Sequence, residues 1–573
     1  MRFRARVVAL AAAAIAIAAA HGASLPPPPD DPGPVLRVAG RELLFGSRTV
    51  RLFGQGDPLL LVKSRADELA EVAWYEPFRS NFTRIAAFDP FIPDSEEPLQ
   101  PFLEVNSTQV DLSVPNAAYY DRLRGYIREN WRTGRVVLLQ VFDEVGLERG
   151  ADRWDLNPFR PGRNVNGLRL PGSGRDAVPE FYDLENGALL SIQERYVREL
   201  VARTHVFGNV IYEICNEYTG SAEWLSHMIG LFRELEAELG KNLLLTNMSC
   251  NGFLLGLEAG HPGIDVLDLF HAPESLRDYS PRQIYDRFVA ARSFGKPLIS
   301  GRIGPEPDNS DLPYLGLRRA RYSFWALFMA GAVGATTKED DNGPRSRFGP
   351  PIYPDDPEWE LLIHALQQFA SDAGDLRGYG PAPEMIRSAP ASTAFALASP
   401  RRVLVYLAEP TGGTLRLSGL GSGPYTVKYF DPFTGGYLGV ARTVTSGGEA
   451  TIPTPTFFED LAIVLDSAPL SVTLLRPLLP RPEDASIRVH VVRHDGIDAD
   501  LDGRVDYTSR LVVDGRDLPL DRQIAVDALR QRRVEITRLT LDRLPRGWHE
   551  IAVRVEDVSG GARDTAIQRF FVR

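Results

Sequence analysis

The stretch Val210-Ile211-Tyr212-Glu213-Ile214-Cys215-Asn216-Glu217-Tyr218 decides the fold. It opens as a β-branched apolar run between two turn signals, Gly208-Asn209 and Thr219-Gly220-Ser221, which is the pattern of a buried strand. It ends in an amide followed by a carboxylate. Side chains alternate along a strand, so Glu213, Cys215 and Glu217 are expected on one face. In a closed parallel barrel that face points inward, and Glu217 stands at the carboxyl end, where the reacting groups of such barrels collect. A lone Asn-Glu is more often a solvated loop, so the surrounding chain must decide.

Outward from this stretch, apolar strand-like runs alternate with helical patterns from about Val35 to Tyr379, which argues for a parallel α/β arrangement. The strand candidates before it are Val50–Phe53, Asn81–Asp89 and Arg135–Asp143. Those after it are Leu243–Met248, Ile264–His271, Lys296–Gly304 and Ala332–Thr337. Helical patterns at Tyr119–Thr133, Ala188–Thr204, Ala222–Leu239, Pro281–Phe294, Arg318–Met329 and Glu358–Ala373 separate them. Eight strands in this order predict a (β/α)8 TIM barrel over residues 35–379. Arg84 and Glu213 each come from a strand. Buried charges need partners, so the two are expected to meet inside the barrel. The segment from Glu144 to about Asn186 reads as a long loop without regular structure, a kind that is usually functional inside a compact domain.

With these strands in place, Ile211-Tyr212-Glu213-Ile214-Cys215-Asn216-Glu217 resembles the fourth-strand motif of the clan A glycoside hydrolases, the cellulase-like and apiosidase-like barrel enzymes. The resemblance implies a carbohydrate substrate, Glu217 as general acid/base and Asn216 as the residue holding the sugar 2-hydroxyl. A glycosidic oxygen is a poor leaving group, so one carboxyl must keep a proton near neutral pH. It also implies substrate-binding roles for Arg84 on strand two and His271 at the end of strand six, with Tyr218 lining the cleft. Trp154, in the long loop, either stacks on a sugar face or packs beneath its own loop.

Strand seven departs from the family pattern. Lys296-Pro297-Leu298-Ile299-Ser300-Gly301 follows it, but Gly301 or Arg302 stands where the family has its nucleophilic Glu. Neither can attack an anomeric carbon, and arginine stays cationic. Glu306 is the nearest acid and the first candidate for the second carboxylate; Glu339, Asp340 and Asp341 lie on the same rim.

The chain has 573 residues, too many for one core. Its formal net charge of −11 argues against nucleic acid and anionic membranes as partners, which select basic surfaces. Residues 1–23 read as a signal peptide: Arg2, Arg4 and Arg6, then a short apolar run, then Ala18-Ala19-Ala20. A stiff Pro-rich linker follows at 24–34. The expected location is secreted or periplasmic, with no membrane anchor. The cysteines, Cys215 and Cys250, are either bridged or two separate buried thiols.

Beyond Gly380 short strands alternate with Gly-rich turns, predicting a β-sandwich at 380–468 and an Ig-like β-sandwich at 469–573. Phe430-Asp431-Pro432-Phe433-Thr434-Gly435-Gly436 resembles a turn of the small sandwich, often labelled collagen-binding, that follows the barrel in apiosidase-like proteins; the match speaks for architecture alone. Asp498, Asp500, Asp502 and Asp506, with Gly503 between them, have the spacing of a structural calcium loop, although Ser509 fills its last position. A solvated acidic turn is the competing reading. No cofactor is expected for catalysis. Three functions fit this sequence: a glycoside hydrolase, a degenerate barrel that binds carbohydrate without cleaving it, and an adhesion protein that works through its C-terminal modules.

Overall fold

The computed structural model describes residues 35–56, 75–87, 99–144, 157–168, 174–250, 254–270, 279–303, 313–338, 358–438 and 442–468, a few residues between these, and the strands of 470–572. Eight parallel strands form the barrel: β1 Leu52–Gly56, β2 Phe82–Ala86, β3 Val136–Asp143, β4 Val210–Asn216, β5 Leu244–Thr246, β6 Leu267–Asp268, β7 Leu298–Ile303 and β8 Gly334–Lys338. They pair as two four-stranded half-barrels, β5-β4-β3-β2 and β6-β7-β8-β1.

Main-chain bonds close the two seams. Asp265 and Val266 N–H donate to Leu245 O at 3.0 and 3.1 Å, and Asn81 N–H donates to Phe53 O at 3.1 Å. The Asn81 side chain reinforces the second seam, accepting from Phe53 N at 2.9 Å and donating to Arg51 O at 2.8 Å. Gly54 is required there, because a Cβ would fall 1.8 Å from Phe82 O.

The helices α1 Ala117–Arg132, α2 Gly187–Thr204, α3 Ala222–Leu239, α4 Pro281–Ala291, α5 Pro313–Met329 and α6 Glu358–Ala373 surround the strands. Asn116, Asn186, Ser221 and Ser280 cap the first four by accepting from first-turn N–H groups. A small antiparallel sheet, Leu36–Ala39, Glu42–Phe45 and Arg48–Val50, plugs the amino end of the barrel: its Leu36 and Leu43 pack against Leu52, Phe82, Leu138, Ile211 and Ile299. One expectation fails in the segment 144–186, which contains a helix at Gly174–Phe181 with Pro179 inside it. Ala177, Val178 and Phe181 of this helix pack into the barrel core.

Antiparallel sheets follow. A seven-stranded sheet and a three-stranded sheet (Ile386–Ser388, Leu415–Ser418, Glu449–Ile452) enclose one apolar core that includes Val405, Leu407, Leu415, Leu417, Ile452 and Ile463. The Asp431 turn forms as its residues demand: Phe433 N–H and Thr434 Oγ1 donate to the Asp431 carboxylate at 2.9 and 2.8 Å, and Gly435 takes φ 68°. The last segment holds two four-stranded antiparallel sheets.

Candidate active site at the carboxyl end of the barrel

Strand β4 delivers the centre of the site. Glu213 is fully buried in the barrel and meets Arg84 of β2: Arg84 Nε lies 2.8 Å from Glu213 Oε2 and Nη2 lies 2.5 Å from Oε1. Burial opposes the Arg84 charge, but Glu213, together with Asp268 and Asp143, outweighs it and holds the guanidinium above its ordinary pKa. The same Nη2 donates to Asn216 Oδ1 at 2.7 Å, and Asn216 Nδ2 donates to Asp143 Oδ1 of β3 at 2.8 Å. The Asn216 amide is therefore fixed at both ends.

The expectation that Glu213, Cys215 and Glu217 share one face does not hold. Cys215 Sγ lies 3.3 Å from the Tyr182 hydroxyl, and it is Asn216 that joins Glu213 on Arg84. The chain leaves regular strand geometry here. Cys215 N–H donates to the Asn247 side chain, at 3.1 Å, and Glu217 adopts φ 50°. Burial, with Glu144 next, pushes the Cys215 thiol well above its ordinary pKa, so it offers no thiolate. No disulfide joins Cys215 and Cys250.

Glu217, just past the end of β4, is half-buried. Its Oε1 accepts from Arg302 Nη1 of β7 at 3.2 Å, and the Arg302 guanidinium also lies 5.4 Å from the Phe270 ring centroid. Beside Arg302, Gly301 leaves room for Asp268 of β6: a Cβ on Gly301 would lie 2.3 Å from Asp268 Oδ2. Asp268 accepts from Gly301 N–H at 2.9 Å and from Phe270 N–H at 3.0 Å. Burial, then Glu213, pushes its carboxyl up to about 8.

Two predicted ligand-facing residues lie elsewhere. Tyr218 is fully enclosed, its hydroxyl donating to Ser221 O at 2.6 Å and its ring packed against Tyr182 and Trp224. Trp154 is buried in the core, so of its two readings packing beneath its own loop is the one observed. Arg84 is nearly enclosed and supports Glu213 and Asn216 from within the barrel. His271, Glu306, Glu339, Asp340 and Asp341 lie outside the described residues, as do Asp498, Asp500, Asp502 and Asp506. No group of His, Cys, Asp or Glu among the described residues could hold a metal ion, and no described helix is long and apolar enough to cross a membrane.

Several supporting residues were not singled out from sequence. Glu144, buried after β3, accepts from Thr219 N at 2.8 Å and from Thr219 Oγ1, and so anchors the loop that follows Glu217. Glu258 accepts from Asn247 Nδ2 at 2.7 Å and orients the amide that holds Cys215 N–H. Burial raises Glu258 to about 7. Lys296 donates to the carbonyls of Glu258, His261 and Ile264, tying the start of β7 to this support. Asp143 ends a strand-like run in the sequence, which was the available signal; Asp268 lies inside the run Ile264–His271 and gave none.

Comparison with known proteins agrees with this architecture. Residues 100–252 match the family model described as "Domain of unknown function (DUF6298)". No curated protein matches the sequence. Among solved structures, the chain is similar to one described as "Glycoside hydrolase", with a TM-score of 0.54 and 14% identity, covering 77% of this chain and 98% of that one. It is also similar to a glycoside hydrolase family 5 structure from Bacteroides vulgatus ATCC 8482, with a TM-score of 0.54 and 13% identity over 76% of this chain and 94% of that one. At this identity the likeness establishes the shared barrel fold.

Proposed function

We propose that this chain is an exported glycoside hydrolase-like protein that cleaves O-glycosidic bonds in a polysaccharide or oligosaccharide, with Glu217 as general acid/base. One observation carries the reading. Glu217 stands at the carboxyl end of β4, half-buried, directly after an Asn216 whose amide is locked between Arg84 and Asp143. A pre-oriented amide beside a carboxyl suits a sugar hydroxyl next to the bond being broken. The two similar structures, both described as glycoside hydrolases, support the same class. Export rests on the charged and apolar start of the sequence.

The test is a hydrolysis screen on oligosaccharides with poor and good leaving groups, comparing wild type with Glu217→Gln. An amide cannot donate the proton a sugar leaving group needs, so turnover should fall on the order of a hundredfold or more for unactivated substrates and much less for activated ones. Unchanged turnover on unactivated sugars would remove Glu217 from the role.

A second reading is a barrel that binds carbohydrate without cleaving it. Arg302 favours it, because it replaces the usual strand-seven acid and pairs with Glu217. In that case Glu217→Gln leaves sugar affinity nearly intact and wild type hydrolyses nothing.

A further inference from the structure

We propose that Asp143 is the second carboxylate of the site, working beside Glu217 from the neighbouring strand in place of an acid on strand seven. The inference rests on the hydrolase reading above.

The other described acids at this end of the barrel are enclosed. Strand β7 offers Gly301 and Arg302, and the space of a Gly301 side chain is filled by Asp268. Asp268 is 3% exposed, with both oxygens committed to main-chain N–H groups, so a sugar cannot reach it. Glu213 is 0% exposed beneath Arg84, and Glu144 is 1% exposed and engaged by Thr219. Asp143 differs. It is the last residue of β3 and is half-buried, as Glu217 is.

Register brings the two together. Asp143 pairs with Asn216, the residue before Glu217, across neighbouring parallel strands. Strands lie about 4.8 Å apart, so Asp143 and Glu217 are separated by one strand spacing and one residue. Asn216 Nδ2 donates to Asp143 Oδ1 at 2.8 Å. Because Arg84 holds the other end of that amide, Asn216 cannot turn away. Asp143 is thereby held in one orientation beside Glu217.

In the step this permits, Glu217 gives its proton to the glycosidic oxygen as the bond from that oxygen to the anomeric carbon breaks. Asp143 supplies the electron pair that replaces it, either directly or by taking a proton from the water that attacks. In the direct route a water then displaces Asp143 and gives its proton to Glu217. In the other, both carboxyls return to their starting states by proton exchange with solvent. The anomer of the product distinguishes the routes.

The experiment uses the full chain and measures reducing-end release from an oligosaccharide panel for wild type, Asp143→Asn and Glu306→Gln, with circular dichroism as the fold control. Asp143→Asn is nearly isosteric and its amide oxygen can still accept from Asn216. We expect kcat to fall on the order of a thousandfold, KM to stay within a few-fold, and the loss to be as large for good leaving groups as for poor ones. Should Asp143→Asn fail to fold, Asp143→Glu decides: a large kcat loss with KM retained supports the assignment, and a wild-type rate overturns it. An Asp143→Asn protein within tenfold of wild type overturns it, as does a loss of turnover confined to Glu306→Gln. A wild type that binds oligosaccharide but cleaves none overturns the hydrolase reading and this assignment together.

Discussion

Arg302 reaches from strand β7 to place Nη1 3.2 Å from Glu217 Oε1, with only 8% and 11% of the two side chains exposed. The contact joins opposite half-barrels at the point where chemistry is expected. It also meets a backbone under strain, since Glu217 holds φ 50°, a left-handed conformation that costs a non-glycine residue about 1–2 kcal/mol.

Removing either side of this largely buried contact forfeits a hydrogen bond to a guanidinium, worth about 1.5–3 kcal/mol. Arg302→Met and Glu217→Gln should each destabilise the protein in urea titrations. The double variant should lose clearly less than the two losses added together. Strict additivity would show that the pair carries no coupling energy.

The buried carboxyls give the barrel a pH-dependent stability. Asp268 is raised to about 8 from 3.8, by burial and then by Glu213, and Glu258 is raised to about 7 from 4.5 by burial. Each holds its proton in the folded chain over a range where the unfolded chain has lost it. Their contribution is therefore present at low pH, falls as pH rises through about 4 to 8, and is level above that. Glu258→Gln keeps an acceptor for Asn247 and removes one titration. The urea midpoint of wild type should drop relative to this variant between about pH 5 and 7. Parallel pH dependences for the two proteins would contradict the shift.

The barrel was legible because its signals are local. β-branched runs between turn residues and capped amphipathic helices marked strands and helices to within a few residues, from Val210–Asn216 to Glu358–Ala373. The meeting of Arg84 and Glu213 followed from two charges inside apolar runs. What sequence could not give was the departure from alternation after Glu213, because it depends on Asn247 and Glu258, which are distant in the chain. Tyr218 was misread for the same reason: its burial is set by Tyr182 and Trp224, and an aromatic beside a carboxylate looks the same in sequence whether it faces a cleft or a core. The place of Asp268 was equally hidden, since nothing in Gly301 alone says which carboxylate fills its missing side chain.

The acidic loop Asp498-Ala499-Asp500-Leu501-Asp502-Gly503 lies outside the described residues, and its spacing alone supports calcium. An ion that binds only the folded state stabilises it by about 2.7 kcal/mol at a hundredfold excess over its Kd. Calcium should raise the melting temperature of the transition that includes residues 469–573, chelator should reverse the rise, and Asp500→Asn should abolish it. A transition indifferent to calcium and chelator would leave a solvated turn.

The barrel and the sheets of residues 380–468 should be inseparable. Trp325 of α5 stacks on Tyr406 with centroids 4.9 Å apart and planes 10° apart, and Tyr285 of α4 stacks on Phe395 at 4.3 Å and 16°. Arg321 Nε lies 2.9 Å from Asp460 Oδ2, an oxygen that also accepts from the Tyr406 hydroxyl at 2.8 Å. Gly435 comes so near α6 that a Cβ would lie 3.2 Å from Ala365 Cα. Buried aromatics of this kind each hide about 150–250 Å². A protein ending at residue 379 would expose Trp325, Tyr285 and Phe369 together and strip Arg321 of its carboxylates. It should be insoluble when produced alone, whereas residues 35–468 should be soluble and unfold in one transition. Within the full chain, Trp325→Ala should cost about 3–5 kcal/mol, and the loss should appear in barrel and sheet signals at the same denaturant concentration. A soluble 35–379 fragment that unfolds cooperatively at the midpoint of the longer protein would show that the sheets merely sit on a self-sufficient barrel.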